Sequence, residues 1–379
     1  MSDEIYKKAA YIITKAGILP TPVNSTLIEI LKTQLTEDEL DFINAFRRKT
    51  SQTMDQLKKT SKLSEPQILS FVKRLAKKGF IFNQPNSEGV MVYRLMPLLM
   101  VGAFEYLYMK KIEHNEVEEK LAKMFSNYFE ETRDFIQANY EQILPIFENM
   151  LPIDRTVPIL NETIQGDQIS LSVNKEIEVP EETILLTQNV EELIEKFDDI
   201  SVGHCFCRHH RDLLGNPCKY TDLRENCFTF GKSARYVAEQ GFGRLISKGE
   251  ALEIMKKSED DGLVHKAFHP HSDITKTETS ICNCCKDCCG TLEWWRMGIV
   301  ALINSTNYLS QVDPDLCVGC GTCVEKCPVD AIELNDSEKA EVNAECCIGC
   351  GVCAHFCPEN AISLLEGMRK VYVAPPRLR

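Results

Sequence analysis

The spacing of apolar residues in the first 150 positions predicts a front half built mainly of helices. Short helices are expected over 4–16 and 25–34, and the segment 97–150 repeats apolar and aromatic residues at helical spacing. Such a stripe indicates either a buried core or a self-association face, and the second alternative implies a homodimer. Its members are Phe104, Leu107, Leu121, Met124, Phe125, Tyr128 and Phe129.

Residues 36–96 show the order helix, helix, helix, strand, turn, strand. Thr36 opens the first helix as a capping box, and Ser64 caps the third, which has Pro66 at an allowed early position. Gly79 ends this third helix, and the strands are predicted over 80–82 and 90–95. The order resembles a winged helix-turn-helix, which implies DNA binding through 64–78 or a role in protein docking or dimerisation.

The charges of the predicted recognition helix favour docking over DNA binding. Its four basic residues could neutralise phosphates, but they cluster at the C-terminal end, where they also complement the helix dipole. Glu65 lies among the N-terminal residues, which usually contact bases, and it would repel phosphate. The basic residues are Lys73, Arg74, Lys77 and Lys78.

Beyond residue 150 the pattern becomes more extended. Residues 169–173 alternate with period two, as a strand does, and 177–180 is also predicted to be extended. Short helices are expected over 191–197, 231–238 and 248–258.

The cysteine distribution divides the chain into two halves. All 18 cysteines lie between positions 205 and 357 of the 379 residues, so the front half is expected to be free of metal. The first residues of the sequence are charged and do not resemble a signal peptide, and no uncharged apolar run of about 20 residues occurs. We therefore expect a cytoplasmic protein without a membrane span, whose cysteines are metal ligands rather than disulfides.

The most specific motif occurs twice, thirty residues apart. Each copy has the spacing C-x2-C-x2-C-x3-C-P, which holds [4Fe–4S] cubes by thiolates, and in which the fourth cysteine ligates the other cube. Glycines 319, 321, 349 and 351 permit positive φ and bring N–H groups close to the cluster sulfurs. The predicted ligand sets are Cys317, Cys320, Cys323 and Cys357 for one cube, and Cys347, Cys350, Cys353 and Cys327 for the other.

This double motif resembles a bacterial-type two-cluster ferredoxin over roughly residues 311–366. The resemblance implies two [4Fe–4S] clusters, and a pair of zinc ribbons or a disulfide knot is the alternative. The net charge of the chain is −13, and residues 311–366 alone carry eleven Asp or Glu against Lys326 and Lys339. An acidic shell suits a redox partner with a basic docking face, although it could also serve only solubility.

A second group of cysteines lies upstream, and Fe–S clusters, zinc or metal-free thiols are all compatible with it. Within it Cys282, Cys285 and Cys288 have ferredoxin spacing, whereas Cys284 and Cys289 could face another way. We expect one or two further Fe–S clusters here. The candidate ligands are Cys205, Cys207, Cys218, Cys227, Cys282, Cys284, Cys285, Cys288 and Cys289, and zinc could also use His204, His209, His210, His265, His269 or His271. Cys346 lies outside both groups and is expected to be a non-ligand thiol.

The order of motifs along the back half resembles a family of 4Fe–4S binding proteins from anaerobes. It runs CxCR, GNPC, FGKSA, GxGR-x-IS, GLVH, ICNCC-x2-CC and then the paired ferredoxin motifs, over about residues 150–366. The resemblance implies metal binding by the middle cysteines. Lys286 and Asp287 separate the cysteine pairs where a tighter run is expected, which leaves the ligand set open.

These patterns predict a multidomain α+β protein with a helical, winged-helix-like N-terminal half, a cysteine-rich α+β middle domain and a C-terminal two-cluster ferredoxin-like domain. The expected segments are 1–35, 36–96, 97–150, 151–310, 311–366 and the tail 367–379. The expected function is iron–sulfur electron transfer between the ferredoxin clusters, a further cysteine-ligated centre and a partner oxidoreductase. A redox-sensing transcription regulator and a catalytic Fe–S oxidoreductase subunit are the alternatives. The sequence shows no flavin or nicotinamide fingerprint, and it does not identify a catalytic residue.

Overall fold

The computed structural model describes residues 2–111, 113–159, 189–270, 273 and 276–378. The chain forms two compact units, each assembled from separated segments. Unit 1 contains Met1–Asn139, Ser201–Pro217 and Lys232–Leu245, and unit 2 contains Tyr140–Ile200, Cys218–Gly231 and Ile246–Arg379. The expected segment boundaries stay predictions, and the strands expected at 169–173 and 177–180 lie outside the described residues.

The described elements of the first 150 residues are mostly helical. In chain order they are α1 (Ser2–Lys15), α2 (Ser25–Gln34), α3 (Glu37–Ile43), a 3-10 turn (Asn44–Phe46), β1 (Ser51–Thr53), α4 (Met54–Ser61), α5 (Glu65–Lys77), β2 (Ile81–Pro85), β3 (Met91–Leu95), α6 (Ala103–Met109), α7 (Glu116–Ala138) and α8 (Tyr140–Glu148).

The described elements after residue 150 mix strands with short helices. They are β4 (Asp154–Val157), α9 (Val190–Glu195), β5 (Ile200–His204), α10 (Phe206–Leu213), β6 (Glu225–Phe230), α11 (Lys232–Gln240), β7 (Gly243–Ile246), α12 (Lys248–Asp260), β8 (Val264–Phe268), β9 (Ser280–Cys284), α13 (Gly290–Arg296), β10 (Leu302–Val312), α14 (Thr322–Lys326), β11 (Ile332–Leu334), β12 (Ala340–Val342), α15 (Val352–His355) and β13 (Ile362–Val373). No helix in the described part of the chain is long and apolar enough to span a membrane.

Local capping positions the helices of unit 1 as the sequence predicts. The backbone N–H of Thr36 donates to Glu39 at 3.0 Å, and that of Ser64 donates to Gln67 at 3.0 Å. Gly79 follows α5 with φ of +78°. β2 and β3 form the expected hairpin, but the short β1 also pairs with β3 and was not predicted. The winged-helix identity stays a prediction.

The aromatic stripe of α6 and α7 lies inside unit 1. The rings of Phe104 and Phe125 have centroids 4.9 Å apart, and those of Phe104 and Phe129 are 5.2 Å apart. Tyr128 is fully buried, and its hydroxyl donates to the carbonyl of Pro22 at 2.9 Å. The stripe therefore forms core, which is one of the two alternatives that its spacing allows.

Unit 2 is organised by a mixed sheet with the order β13-β10-β4-β8-β9-β6. β10 and β13 form a long antiparallel pair from Leu302–Val373 to Val312–Ile362, and β4 runs parallel to β10. A short antiparallel hairpin of β11 and β12 lies between the two ferredoxin motifs along the chain. This sheet carries three of the middle cysteines, Cys227 on β6 and Cys282 and Cys284 on β9, and β10 and β13 border the ferredoxin loops in sequence.

Candidate metal centres

The first ferredoxin-type site is a cavity lined by cysteines from both motifs. Cys317, Cys320, Cys323 and Cys357 line it together with the apolar side chain of Ile362. Three of these cysteines come from one loop, and Cys357 arrives from the other. The structure thus brings together the four thiols that the crossed spacing assigns to one cube, while their role as ligands stays a prediction.

The second site gathers thiols that are more deeply buried. Burial, the largest cause, raises the pKa of Cys350 well above its usual range, and the nearby Cys353, Cys327 and Cys347 raise it further. Burial likewise raises the pKa of Cys353 to about 12, although the Ser310 hydroxyl, 3.2 Å from its sulfur, opposes the shift. Such closely packed thiols ionise together only if a cation compensates their charge.

The loops of both sites depend on glycines with positive φ. Gly319 has φ of +71° and Gly349 has φ of +61°. A Cβ at Gly319 would overlap the carbonyl oxygen of Glu338, and a Cβ at Gly349 would overlap that of Tyr308. Tyr308 follows an irregularity in the β10–β13 pairing, so the strand backbone itself shapes the second loop.

Backbone N–H groups point at the sulfurs of the cysteines that cross between the motifs. The N–H of Ala331 donates to Cys327 at 3.2 Å, and that of Ala361 donates to Cys357 at 3.3 Å. The two bonds occur at the same offset in the two repeats. Hydrogen bonds of this kind stabilise thiolate charge and adjust the reduction potential of a bound cluster.

Three of the middle cysteines form a compact group. The sulfurs of Cys218, Cys285 and Cys288 all lie within 4.8 Å of one another. Cys218 is 3.6 Å from Cys285, and Cys285 is 2.9 Å from Cys288. The N–H of Cys288 also donates to the sulfur of Cys285 at 3.2 Å, and the buried Leu263 packs against the group.

Four other middle cysteines form a second group: Cys227, Cys282 and Cys284 lie on strands of the sheet, and Cys289 is the N-cap residue of α13. Cys227 on β6 pairs directly with Cys282 on β9, with their sulfurs 3.8 Å apart. The hydrogen bond with Cys282, the largest cause, raises the pKa of Cys284 well above its usual range, and the hydrogen bond with Cys284 likewise raises the pKa of Cys289. Cys282 and Cys284 share a face because side chains on a strand alternate. Cys285 and Cys288 follow the end of β9, so the ferredoxin spacing of Cys282, Cys285 and Cys288 does not correspond to one group of thiols.

The remaining predicted ligands, Cys205 and Cys207, belong to unit 1. Cys205 is the N-cap residue of α10. A hydrogen bond from Cys207, the largest cause, lowers the pKa of Cys205 to about 6, and the charge of Arg208 contributes in the same direction. Cys205 is therefore predisposed to the thiolate form that binds metals.

Lys286 and Asp287 hold the compact cysteine group in place. The Lys286 ammonium lies 2.7 Å from Asp330 and donates to the carbonyl of Glu325 at 3.1 Å. Asp287 accepts the N–H of Lys219, next to Cys218, at 3.3 Å. Lys286 thus connects the turn to the ferredoxin-type segment, and Asp287 connects it to the segment that contains Cys218.

A buried lysine lies on the thiol-bearing face of the sheet. Lys266 on β8 pairs directly with Cys282, and its ammonium lies 2.6 Å from Asp154. Burial opposes its charge, but the attraction of Asp154, Cys289 and Cys284 outweighs burial and raises the pKa of Lys266. A cation at this position compensates thiolate charge. Sequence inspection missed Lys266, because only strand pairing brings it beside the cysteines.

The described histidines named as alternative zinc ligands make other contacts. His209 and His210 donate to the carbonyls of Tyr108 and Ala122 at 2.8 and 3.0 Å. His265 donates to Asn283 at 2.6 Å, and His269 donates to the carbonyl of Lys276 at 2.6 Å. His204 stacks edge-on against His209 at 5.0 Å. His271 lies outside the described residues.

The donor sets suit soft, thiophilic metals. Thiolates are the ligands of Fe–S clusters and of zinc, and the described sites offer them in loops and strands whose N–H groups face the sulfurs. Cys346 is partly buried at the edge of the ferredoxin core, and burial raises its pKa, which disfavours the thiolate. When bound, Fe–S clusters exchange single electrons, and the chain supplies the ligands, the hydrogen bonds and the burial.

Comparisons with known proteins place the ferredoxin-type part in a known domain family. Residues 298–364 match the family described as a 4Fe-4S dicluster domain. A stretch of 28 residues, 7% of the chain, is 57% identical to a probable ferredoxin from Methanosarcina thermophila. The match spans 48% of that ferredoxin, about half its length. No solved structure matches the chain. The C-terminal part of the chain is therefore a ferredoxin-type domain of the 4Fe-4S dicluster class.

Proposed function

We propose that the protein is an iron–sulfur electron-transfer protein of a reducing, intracellular compartment. Its two ferredoxin cubes exchange single electrons with a partner oxidoreductase, and the thiols of Cys227, Cys282, Cys284 and Cys289 hold a further redox centre. The chain supplies the thiolates and the N–H groups that face them. It also keeps water away from the inner cube, the one predicted on Cys347, Cys350, Cys353 and Cys327. The proposal names no substrate.

One shared core carries this proposal. Cys284 and Cys289 belong to the same cluster of buried residues as Cys323, Cys327 and Cys350. Cys282 packs against that cluster as well. Apolar side chains such as Ile348 and Val352 belong to the same buried cluster. The continuity supports electron exchange between the ferredoxin sites and the four-cysteine centre through packed protein.

The outer cube, the one predicted on Cys317, Cys320, Cys323 and Cys357, has an exposed rim where a partner can dock. Cys320 is exposed, and three apolar side chains near it in sequence or at its cavity are also exposed: Leu316 at 52%, Val318 at 63% and Leu334 at 41%. All eleven Asp and Glu side chains of 311–366 are exposed. Apolar contacts within an acidic surround suit a partner with a basic docking face, which would associate quickly at low salt.

The deciding experiment is an iron and sulfide analysis of anaerobically purified protein, combined with EPR after reduction. Two cubes give about 8 Fe per chain, and a third cube at the four-cysteine centre gives about 12. Cys320→Ala should weaken or remove the outer cube, whereas Cys346→Ala should leave the count unchanged. Fewer than about 4 Fe per chain, with no reducible cluster signal after reconstitution, would overturn the electron-transfer proposal.

A second candidate is a redox-responsive DNA-binding regulator. It is supported by the three-stranded sheet β1-β3-β2, whose strands flank α4 and α5 in the chain, as a winged helix-turn-helix requires. Its weakness is the charge pairing of α5. Arg74 lies 2.7 Å from Asp38, and Lys78 lies 2.6 Å from Glu39, so acids already partner these cations. Gel shifts at physiological salt with reduced and oxidised protein would test this candidate. Salt-dependent binding that changes with oxidation state would favour it over pure electron transfer.

A further inference from the structure

We propose that Cys218, Cys285 and Cys288 bind a single tetrahedral metal ion, zinc, at a site separate from the iron–sulfur centres. Zinc binds thiolates at about 2.3 Å, which places the sulfurs of a tetrahedral site about 3.8 Å apart. The trio has separations of 3.6 and 2.9 Å, with all three sulfurs within 4.8 Å. These sulfurs are close enough to share one ion. The inference relies on the proposed function only in treating the middle cysteines as metal ligands.

The ferredoxin thiols provide an internal standard for this distance argument. In a cube each thiolate binds a different iron at a different corner, so the sulfurs stand further apart than around one ion. No three of the eight ferredoxin sulfurs, all of them in the described part of the chain, lie within 4.8 Å of one another. Among the sulfurs of Cys227, Cys282, Cys284 and Cys289, which are also described, no three lie within 4.8 Å of one another. The compact group therefore differs from both in the kind of metal that it suits.

The local geometry of the trio also resembles a zinc turn. Cys285 and Cys288 have the C-x2-C spacing that structural zinc sites use, and the N–H of Cys288 donates to Cys285 at 3.2 Å. Their separation of 2.9 Å is longer than the roughly 2.05 Å of a disulfide bond. Cys218 comes from a segment 67 residues away, so the ion would clasp two distant parts of unit 2.

Hydrogen bonds fix the segments that carry the three cysteines. Asp287 accepts the N–H of Lys219, and Thr221 donates to Asp261 at 2.5 Å. The guanidinium of Arg296 donates to the carbonyl of Lys286 at 2.9 Å. Such contacts orient metal ligands before the metal arrives. Zinc has no redox chemistry, so this site would brace the turn, and the electron route would pass through the four-cysteine centre instead.

The test is metal analysis with zinc-edge X-ray absorption on the full-length protein, produced anaerobically with both iron and zinc supplied. We expect about one zinc per chain, coordinated by three sulfurs at about 2.3 Å and one lighter ligand. Cys288→Ser should lose most of the zinc and leave the iron count unchanged. Cys284→Ser should keep the zinc and lose iron from the four-cysteine centre. Cys346→Ser is the matched control and should change neither metal.

Three results would overturn the inference: no zinc in the wild-type protein, loss of about four irons in Cys288→Ser, or a Cys285–Cys288 disulfide in place of the metal. The absorption spectrum of the wild-type protein keeps the test valid if a variant fails to fold. The outcome is also separate from the proposed function. Zinc bound to the trio in a protein without reducible clusters would leave this inference standing and remove electron transfer.

Discussion

The two cysteine regions of unit 2 hold their thiols in different ways. In the ferredoxin-type region the candidate ligands lie on two short loops, and glycines such as Gly319 and Gly349 set the loop geometry. In the middle region the thiols come from strand faces and a turn, and Cys218 meets Cys285 across 67 residues. Local spacing therefore indicates the first arrangement, whereas only strand pairing produces the second.

The comparison also separates two strategies for compensating thiolate charge. The ferredoxin region uses backbone donors, such as the N–H groups of Ala331 and Ala361. The middle region places a charged side chain, Lys266, directly opposite Cys282. Backbone donors follow from loop shape, but the lysine depends on the register of β8 and β9. Each strategy predicts a different sensitivity to substitution.

The largest expected effect concerns the loop glycines. Gly319→Ala places a Cβ against the carbonyl of Glu338 at positive φ, so the first loop cannot close. We expect this variant to lose about four irons per chain. Gly321→Ala is the matched control: φ is +77°, but nothing lies within 4 Å of its Cβ. There the cost is about 1–2 kcal/mol of conformational strain, with iron retained.

Iron analysis and thermal unfolding of both glycine variants check this expectation. Equal iron loss in Gly319→Ala and Gly321→Ala would mean that φ alone, and not the contact with Glu338, determines loop closure. Full iron retention in Gly319→Ala would contradict the account of the first loop.

A smaller effect is expected in the middle region. Lys266→Met leaves the buried Asp154 without its cation, which should lower the free energy of unfolding by about 3–5 kcal/mol. The reduction potential of the four-cysteine centre should also fall, because a positive charge that stabilises added electrons is lost. Lys256→Met is the control, since its pair with Asp260 is exposed and contributes at most about 0.5 kcal/mol.

Denaturant unfolding and potentiometric titration of the two lysine variants make this measurable. A Lys266→Met protein as stable as Lys256→Met would show that the Asp154 pair is replaceable. An unchanged potential would mean that the lysine has no electrostatic role at the centre.

The smallest expected effect concerns partner docking at the exposed rim. Asp315→Asn combined with Glu359→Gln should slow association with a basic redox partner by about two- to five-fold at low salt. Both carboxylates are exposed, and Glu359 lines the cavity of Cys320. Glu192→Gln, an exposed change on α9, should leave the rate unchanged. Stopped-flow electron transfer over a range of salt concentrations measures this, and equal rates for all variants would remove the acidic rim from docking.

Sequence reasoning succeeded where short-range chemistry decides the structure. The caps at Thr36 and Ser64 form as predicted, because capping uses side chains three residues apart. The helices around them lie within a few residues of their expected bounds. The ferredoxin domain was recognised because its spacing repeats, and the family match over 298–364 agrees.

Sequence reasoning missed most of the sheet in unit 2. The extended chain expected after residue 150 includes strand β4, but its place in the sheet was not predicted. Its sequence Asp-Arg-Thr-Val is buried at all four positions and shows no alternation of apolar and polar residues. Its polar side chains are tolerated because distant partners neutralise them: Glu278 for Arg155 at 2.8 Å, and Lys266 for Asp154 at 2.6 Å. Both partners are more than 100 residues away in the sequence, so no local pattern predicts them.

The sequence by itself determined that the C-terminal part is a 4Fe-4S dicluster domain, because eight cysteines at fixed spacing on glycine loops define that site locally. Only the tertiary structure separated the compact trio from the second group of middle cysteines, Cys227, Cys282, Cys284 and Cys289. The physical reason is strand geometry. Side chains alternate along β9 and turn away at its end, so neighbours in sequence such as Cys284 and Cys285 join different groups.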